Sequence, residues 1–336
     1  MPRWMFDLLS TIRQCMHGLL IAIVIAIAPA FAADLDKVLA SAMAGTKAPA
    51  LAKLADHGVL SWSTPLAKML PGLAAKMRPE YRNVTLVQLL SHRSELPDHY
   101  DDIAYFNSFF TDKRPAQQQR YDYIAHALTD NPVAQPGTKF SYSNNGFMIA
   151  AVIAERATGV PYETLMRREL FDPLGMKSAA FGTTPPGQPQ GHHAGKVATL
   201  KDGNPAMWAP AGNIHMSPQD WAEFCLDQLA GYHARGRLLN QATYRMMETR
   251  LPGATTGLAW GVEQTALGRK GPMLMHAGSD GNWMALVLLF PETQNGVLVA
   301  ANAAGDMGGD KAAKAALKAV LPELAPPVGK SAKLLR

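Results

Sequence analysis

The spacing of apolar residues predicts a mostly helical middle of the chain. Apolar positions recur at helical spacing from Lys47 to His57 and again from Asn145 to Thr158. Thr85 and Ser217 stand just before further helical segments and are predicted N-caps. We therefore expect helices through most of residues 65–250.

The pattern changes near residue 257. Short apolar or alternating segments follow one another, separated by Gly, Pro and Asn: GLAWGVEQ, PMLMHAG, NWMALVLLF and NGVLVAANA. They are typical of an antiparallel sheet, and the helical spacing from Lys311 to Leu321 predicts a terminal helix on it. The fold class is then α+β, with a helical lobe at about 65–250 and a sheet with its terminal helix at about 257–322.

The start of the chain has a different character. Arg3 and Arg13 precede the apolar run GLLIAIVIAIA, and a small-x-small signal, Ala30-Phe31-Ala32, follows it. The run is too short to span a bilayer, and its flanks are typical of a secretory signal peptide. We expect residues 1–32 to be removed and residues 33–336 to form one domain, periplasmic or secreted, without a stable membrane span.

Composition adds little to the choice of function. Of 336 residues, 48% are apolar, which is enough for a sizeable core, and the formal charge of +5 is scattered rather than clustered. The pattern does not predict a nucleic-acid surface. Outside the predicted signal peptide Cys225 stands alone, so stability must come from packing rather than from an internal disulfide.

Three segments carry candidate chemistry: VTLVQLLSHRSELPD at 84–98, the long stretch from Pro136 to Met176 that contains SYSNNG, and HAGSDG at 276–281. Together they resemble the serine β-lactamase and penicillin-binding-protein family, in its branch of class C enzymes, D-alanyl-D-alanine peptidases and related esterases. The resemblance extends over most of residues 58–320. It implies a β-lactamase/transpeptidase-like fold, acyl transfer on a β-lactam, D-alanyl peptide or ester, and no cofactor.

The resemblance also implies roles for individual residues. Tyr142 and Asn144 match a Tyr-x-Asn corner, where a phenol transfers protons and an amide binds substrate. His276, Ala277 and Gly278 match a His-x-Gly strand, with His276 as a catalytic partner and the other two as substrate-binding positions. Trp283 is a further candidate for the wall of the substrate cleft, and core packing is the alternative for it.

The family's nucleophile is missing. No serine or threonine in the chain is followed three residues later by lysine. Lys47 lies only 11 residues before Gly58, about one helical turn less than the family pattern requires. The residues on either side of 51–54 resemble two family segments joined directly, as if the Ser-x-x-Lys turn and the strands before it were deleted. Ser143, Ser91 and Ser94 are the alternative nucleophiles, none with a lysine partner.

The apparent deletion has structural consequences. Without its opening strands the sheet would expose the edge of the strand at 297–303, which invites self-association. Glu95 stands where the family has a turn glycine, which indicates relaxed constraint on the segment. His192 and His193 are adjacent, without a nearby acidic or cysteine partner in sequence, so no metal site is expected there.

The sequence thus leaves three functions open. The chain is a periplasmic serine hydrolase of this family whose activity is impaired by the missing nucleophile. Alternatively, it is a pseudoenzyme that binds a small-molecule or peptidoglycan-like ligand. The third alternative is a truncated product without a maintained function.

Overall fold

The computed structural model describes residues 21–26, 47–99, 102–199, 202–252, 254, 256–264 and 271–324. The α-helices are, in chain order, α1 (Lys47–Asp56), α2 (Leu66–Met69), α3 (Leu86–Leu90), α4 (Ile103–Ser108), α5 (Ala116–Ala127), α6 (Asn144–Thr158), α7 (Tyr162–Met166), α8 (Asp172–Leu174), α9 (Ala209–Gly212), α10 (Pro218–Tyr232), α11 (Gln241–Glu248) and α12 (Gly309–Leu324). The strands are β1 (Ile21–Ala26), β2 (Ala180–Phe181), β3 (His192–His193), β4 (Lys196–Val197), β5 (Ile214–His215), β6 (Gly261–Glu263), β7 (Met273–Ser279), β8 (Met284–Phe290) and β9 (Asn295–Ala301).

The main sheet has the strand order β1-β9-β8-β7-β6, and all its pairs are antiparallel except β1 with β9. Strands β8 and β9 are apolar along their length because both of their faces are covered. Val297 and Val299 pack with Ala313 of α12, whereas Leu298 and Ala300 belong to the core shared with the helical lobe. This α+β arrangement agrees with the predicted fold class.

The edge of β9 is covered, contrary to the expectation of an exposed edge. Ile21–Ala26 pairs with it in parallel, from Ile21 opposite Gly296 to Ala26 opposite Ala301. These six residues lie inside the segment predicted to be a signal peptide. The predicted cleavage site after Ala32 lies outside the described residues, so cleavage stays a prediction.

The centre of the helical lobe is α6, whose residues from Phe147 to Ala154 are at most 4% exposed. Its first turn lies against α3 so closely that a Cβ on Gly146 would stand 2.7 Å from the carbonyl oxygen of Leu89. A larger residue would push the two helices apart. This contact fixes the beginning of α6 against the loop that follows α3.

Several predicted helix starts are confirmed. Thr85 caps α3 in a reciprocal capping box with Gln88, and Ser217 caps α10 through the N–H of Asp220. The sheet is shorter than predicted at its start, because β6 comprises three residues and the segment before it is irregular. Across the described ranges, no helix combines the length and apolar character needed to cross a membrane.

Candidate active site

Tyr142 and Asn144 form a chain of hydrogen bonds that ends on Asp98. The Tyr142 hydroxyl donates to Oδ1 of Asn144 at 3.2 Å, and Nδ2 of Asn144 donates to Oδ1 of Asp98 at 2.9 Å. Burial and then the negative charge of Asp98 raise the pKa of Tyr142 above its ordinary value. At neutral pH the half-exposed phenol is therefore a hydrogen-bond donor, not a base.

Ser143, between these two residues, has a structural role. Its hydroxyl donates to the carbonyl oxygen of Pro97 at 2.7 Å and accepts the N–H of Gly146 at 3.4 Å, as the N-cap of α6. The residue is 0% exposed. Its hydroxyl is therefore engaged on both sides and closed to a substrate.

His92 supports the corner from behind. Its Nδ1 accepts the N–H of Ser143 at 3.1 Å, which places the ring proton on Nε2 of a neutral imidazole. The ring lies 4.7 Å from that of Tyr142, centre to centre, and also contacts Phe140 and Phe147. Burial lowers the pKa of His92 to about 4, against the opposing charge of Asp98.

Glu95 holds the turn that leads into the corner. Its carboxylate accepts the backbone N–H groups of Gly137 at 2.9 Å, Thr138 at 2.9 Å and Lys139 at 2.8 Å. Glu95 is 0% exposed, although its φ of +49° is one that glycine adopts more readily. The interpretation of this glutamate as a sign of relaxed constraint is therefore wrong: three charge-assisted hydrogen bonds compensate for its unfavourable backbone.

His276, Ala277 and Gly278 lie on β7, paired with Val287, Leu286 and Ala285 of β8. The His276 ring meets the edge of Trp260 at 6.3 Å between centres, and Nε1 of Trp260 donates to Oε1 of Gln228 at 3.3 Å. Ala277 is exposed and Gly278 half-buried, so this part of the strand is open to a ligand.

The loop after α3 connects the two motifs. On one side it carries Glu95 and His92, which hold the corner. On the other side the carbonyl oxygen of Ser91, its first residue, accepts the hydroxyl of Thr256 at 3.3 Å. The carbonyl oxygen of Leu90, the last residue of α3, accepts the N–H of Ala259 at 3.1 Å, one residue before Trp260, which contacts His276. One loop therefore touches both the Tyr142 corner and the segment that supports His276.

Trp283 and the remaining candidates lie apart from this corner. Trp283 is 5% exposed and belongs to the main core, so most of its surface serves packing. His192 and His193 form the short strand β3. Within the described part of the chain, His, Cys, Asp and Glu side chains form no group of three that would hold a metal ion. Burial raises the pKa of Cys225, which makes its thiol unreactive.

The structure supplies no replacement for the missing nucleophile among the serines considered. Ser91 and Ser94 are 1% and 0% exposed, and their hydroxyls have no hydrogen-bond partner among the described residues. Helix α1 is described from Lys47 onward and crosses the apparent junction at 51–54; only its residues from Lys53 on resemble the end of the nucleophile-bearing helix. A nucleophile needs both access to the substrate and an activating base, and these serines have neither.

The sequence did not assign a role at the corner to three residues that hold it: His92, Glu95 and Asp98. All three lie in the family-like segment 84–98, which was the one available signal. Their roles depend on the path of the loop, where both His92 and Glu95 have positive φ angles. Residue spacing does not reveal such a path.

Known proteins are similar to this chain over most of its length. The D-alanyl-D-alanine-carboxypeptidase/endopeptidase AmpH of Escherichia coli (strain K12) is 26% identical over 279 residues, which are 80% of this chain and 69% of the relative. The putative penicillin-binding protein PbpX of Bacillus subtilis (strain 168) is 26% identical over 257 residues, 74% of this chain and 60% of the relative.

Solved structures share the fold. A D-stereospecific amidohydrolase from Streptomyces sp. superposes with a TM-score of 0.68 at 22% identity, covering 86% of this chain and 88% of that chain. A penicillin binding protein from Bacillus halodurans gives a TM-score of 0.65 at 21% identity, covering 85% and 86%. The family model described as Beta-lactamase matches residues 47–321, which is most of the chain. The chain therefore belongs to the Beta-lactamase family.

Proposed function

We propose that this protein is an exported member of the Beta-lactamase family that binds D-aminoacyl amides or D-alanyl peptides without forming an acyl-enzyme. Tyr142, Asn144 and His276 bind the ligand, with Ala277 and Gly278 offering backbone groups beside it. The observation that carries the proposal is the hydrogen-bonded corner of Tyr142, Asn144 and Asp98, which is complete although no Ser-x-x-Lys exists in the chain.

The ligand class rests on relatives and on the chemistry of the corner. AmpH is named for D-alanyl-D-alanine peptides, and the Streptomyces neighbour is named for D-stereospecific amide hydrolysis. A phenol that donates and an exposed strand that offers backbone groups suit an amide, which has both a donor and an acceptor.

Two measurements on the purified protein test the proposal. Intact-protein mass spectrometry after incubation with a fluorescent penicillin and a fluorophosphonate is expected to show no covalent adduct. D-alanyl-D-alanine is expected to raise Tm by about 2–5 °C at millimolar concentration, as a ligand that binds the folded state does. L-alanyl-L-alanine is expected to have a smaller effect.

Variants separate the outcomes. Tyr142→Phe removes the donating hydroxyl and is expected to reduce the shift, whereas Tyr121→Phe changes a tyrosine of α5 outside the corner and leaves it unchanged. A stoichiometric adduct would instead favour the second candidate function, acyl transfer by a serine hydrolase, for which family membership is the supporting observation. No adduct and no ligand-induced shift, with aggregation, would favour a truncated product without a maintained function.

We further propose that removal of residues 1–32 leads to self-association through β9. Cleavage would take away β1 and leave one side of β9 without a hydrogen-bonding strand. A second copy of the chain offers the same apolar edge. Light scattering after size-exclusion chromatography is expected to give a dimer or larger species for the shortened chain; a monomer at all concentrations would contradict the proposal.

A further inference from the structure

A small cleft lies beyond the end of β7, between the loop of residues 182–199 and the turn that joins β7 to β8. Its cavity volume is about 20 Å³, which is room for one group the size of a water molecule. Acceptor atoms in its lining belong to the side chains of Thr184, Gln190, Thr199, His215, Asp280 and Asn282, and Thr183 and Trp283 add further polar groups.

Most hydrogen-bond donors of this lining are already used inside the protein. The hydroxyl of Thr184 donates to Pro189 O at 3.0 Å, and that of Thr199 donates to Oδ2 of Asp202 at 2.7 Å. Nε2 of Gln190 donates to the carbonyl oxygens of its own loop. The two hydroxyl oxygens and the amide oxygen of Gln190 remain as acceptors.

Asn282 and His215, the two most buried polar side chains of the lining, also use their donors inside the protein and keep an acceptor. Asn282 is 4% exposed; its Nδ2 donates to Asp202 O at 2.8 Å, while its Oδ1 has no partner among the described residues. His215 is also 4% exposed, and its Nδ1–H donates to Gly182 O at 3.0 Å. Since a carbonyl oxygen can only accept, Nε2 of the neutral ring is left as an acceptor.

Asp280 adds negative charge. Its Oδ1 accepts the N–H groups of Asn282 and Trp283, both at 2.9 Å, which fixes the turn. The indole of Trp283 closes the cleft against Gly191, where any Cβ would lie 2.5 Å from Nε1. Among the described residues of the lining, that indole N–H and the hydroxyl of Thr183 are the side-chain donors left, against an excess of acceptors.

We propose that this cleft binds a primary ammonium group, specifically the free amine of a D-amino acid amide or short peptide held at the candidate active site. The inference rests on the proposed function for the identity of the ligand. An ammonium group has three donors and no acceptor, and it is about as large as a water molecule. It therefore fits a space that is lined by acceptors and holds one such group. Asp280 directly follows the end of β7 and comes two residues after Gly278. Two residues of extended chain span at most about 7 Å, a distance within reach of a small amide substrate.

The first experiment tests the cleft alone, without a ligand that binds at the Tyr142 corner. Methylammonium chloride is titrated into the isotopically labelled protein, and the resonances of the Trp283 indole N–H and the Asn282 side-chain amide are followed. We expect saturable shifts with methylammonium and none with methanol. Equal responses to both probes, or no response to methylammonium, would overturn the inference, because the cleft would then not select an ammonium group.

The second experiment compares ligands with and without the amine by calorimetry at about pH 6.5, where an α-amine is mostly protonated. D-alaninamide is expected to bind at least tenfold more tightly than propionamide. Asp280→Asn keeps the oxygen that fixes the turn but removes the charge, and is expected to abolish most of this ratio. Asp122→Asn, at an exposed carboxylate of α5 that does not line the cleft, is the matched control and is expected to keep it.

The outcomes separate this inference from the proposed function. If both amides bind equally and both lose affinity in Tyr142→Phe, the active-site proposal holds and the ammonium site is wrong. If methylammonium binds at the cleft but neither amide depends on Tyr142, the ammonium site holds and the proposed function is wrong.

Discussion

Glu95 and Glu248 are both 0% exposed, but their carboxyl groups have opposite surroundings. Glu95 accepts three backbone N–H groups, whereas neither carboxyl oxygen of Glu248 has a hydrogen-bond partner among the described residues. Burial, and next the charge of Asp227, raises the pKa of Glu248 to about 9. A buried carboxyl group that has no donors in place of water holds its proton more strongly, because the charged form is not solvated.

The two glutamates belong to different walls of the candidate site. Glu95 belongs to the loop that holds the Tyr142 corner. Glu248 ends α11, which packs on α10, the helix whose Gln228 supports Trp260 behind His276. Nε2 of Gln228 also lacks a partner among the described residues. The corner is therefore the more completely hydrogen-bonded wall, apart from the hydroxyls of Ser91 and Ser94.

Replacing each glutamate by leucine tests this comparison most strongly. Glu95→Leu leaves the N–H of Lys139 without its acceptor, while those of Gly137 and Thr138 keep the carbonyl oxygens of Arg93 and Gln135. We therefore expect the free energy of unfolding to fall by about 2–3 kcal/mol in urea denaturation. Glu95→Gln keeps one acceptor oxygen and should give an intermediate loss. Glu248→Leu should cost far less than Glu95→Leu; equal losses at the two positions would contradict the comparison.

The pH dependence of Glu248 is an expected effect of similar size. Its folded-state pKa lies above the unfolded value of 4.5, so the folded state holds the proton between about pH 4.5 and 9 and stability falls as pH rises through that range. From pH 5 to pH 8 this group alone should reduce the free energy of unfolding by on the order of 2–4 kcal/mol. Glu248→Gln should remove that part of the pH dependence, and a variant with an unchanged profile would show that Glu248 does not titrate there.

His92, beside the Tyr142 corner, is expected to give a pH dependence of stability with the opposite sign. Its folded-state pKa of about 4 lies below the ordinary 6.5, so the unfolded chain takes up the proton first and stability falls as pH decreases from 6.5 to 4. We expect this group to contribute a loss of roughly 2–3 kcal/mol over that interval. His92→Asn tolerates the positive φ, keeps an acceptor for the Ser143 N–H and does not titrate, so its loss should be smaller. If His92→Asn and the wild type lose the same stability between pH 6.5 and 4, His92 is not the cause of the loss.

The smallest effect concerns Ser143. Ser143→Ala removes an N-cap and should lower the free energy of unfolding by about 1 kcal/mol. Ser217→Ala, at the N-cap of α10, is the matched control and should cost a similar amount. If an acylating probe labels the wild type and Ser143→Ala alone abolishes the label, Ser143 is a nucleophile and not just a cap.

Much of the fold was readable from local patterns. The helical spacing after Ser143 and Ser217, the N-caps and the alternation of β7 to β9 all reflect interactions within a few residues, so they survive without tertiary information. The two-residue strand pairs between α8 and α10 were not predicted, because such short pairs carry no periodicity. The role of Glu95 was misread for a related reason: its donors lie more than 40 residues away in sequence.

The covered edge of β9 shows the same limit. The apolar segment at 21–26 has the composition of a signal peptide and of an edge strand alike, and pairing in the fold, not pattern, places it beside β9.

The sequence by itself determined the family, the α+β class, the positions of Tyr142, Asn144 and His276, and the absence of Ser-x-x-Lys, since these depend on residue identity and local order. The tertiary structure decided which buried polar groups find partners. It showed that Ser143 caps a helix, that Glu95 holds the corner and that an acceptor-lined cleft lies beyond β7. The physical reason is that burial and hydrogen bonding depend on contacts between distant segments, and those contacts exist only once the chain is folded.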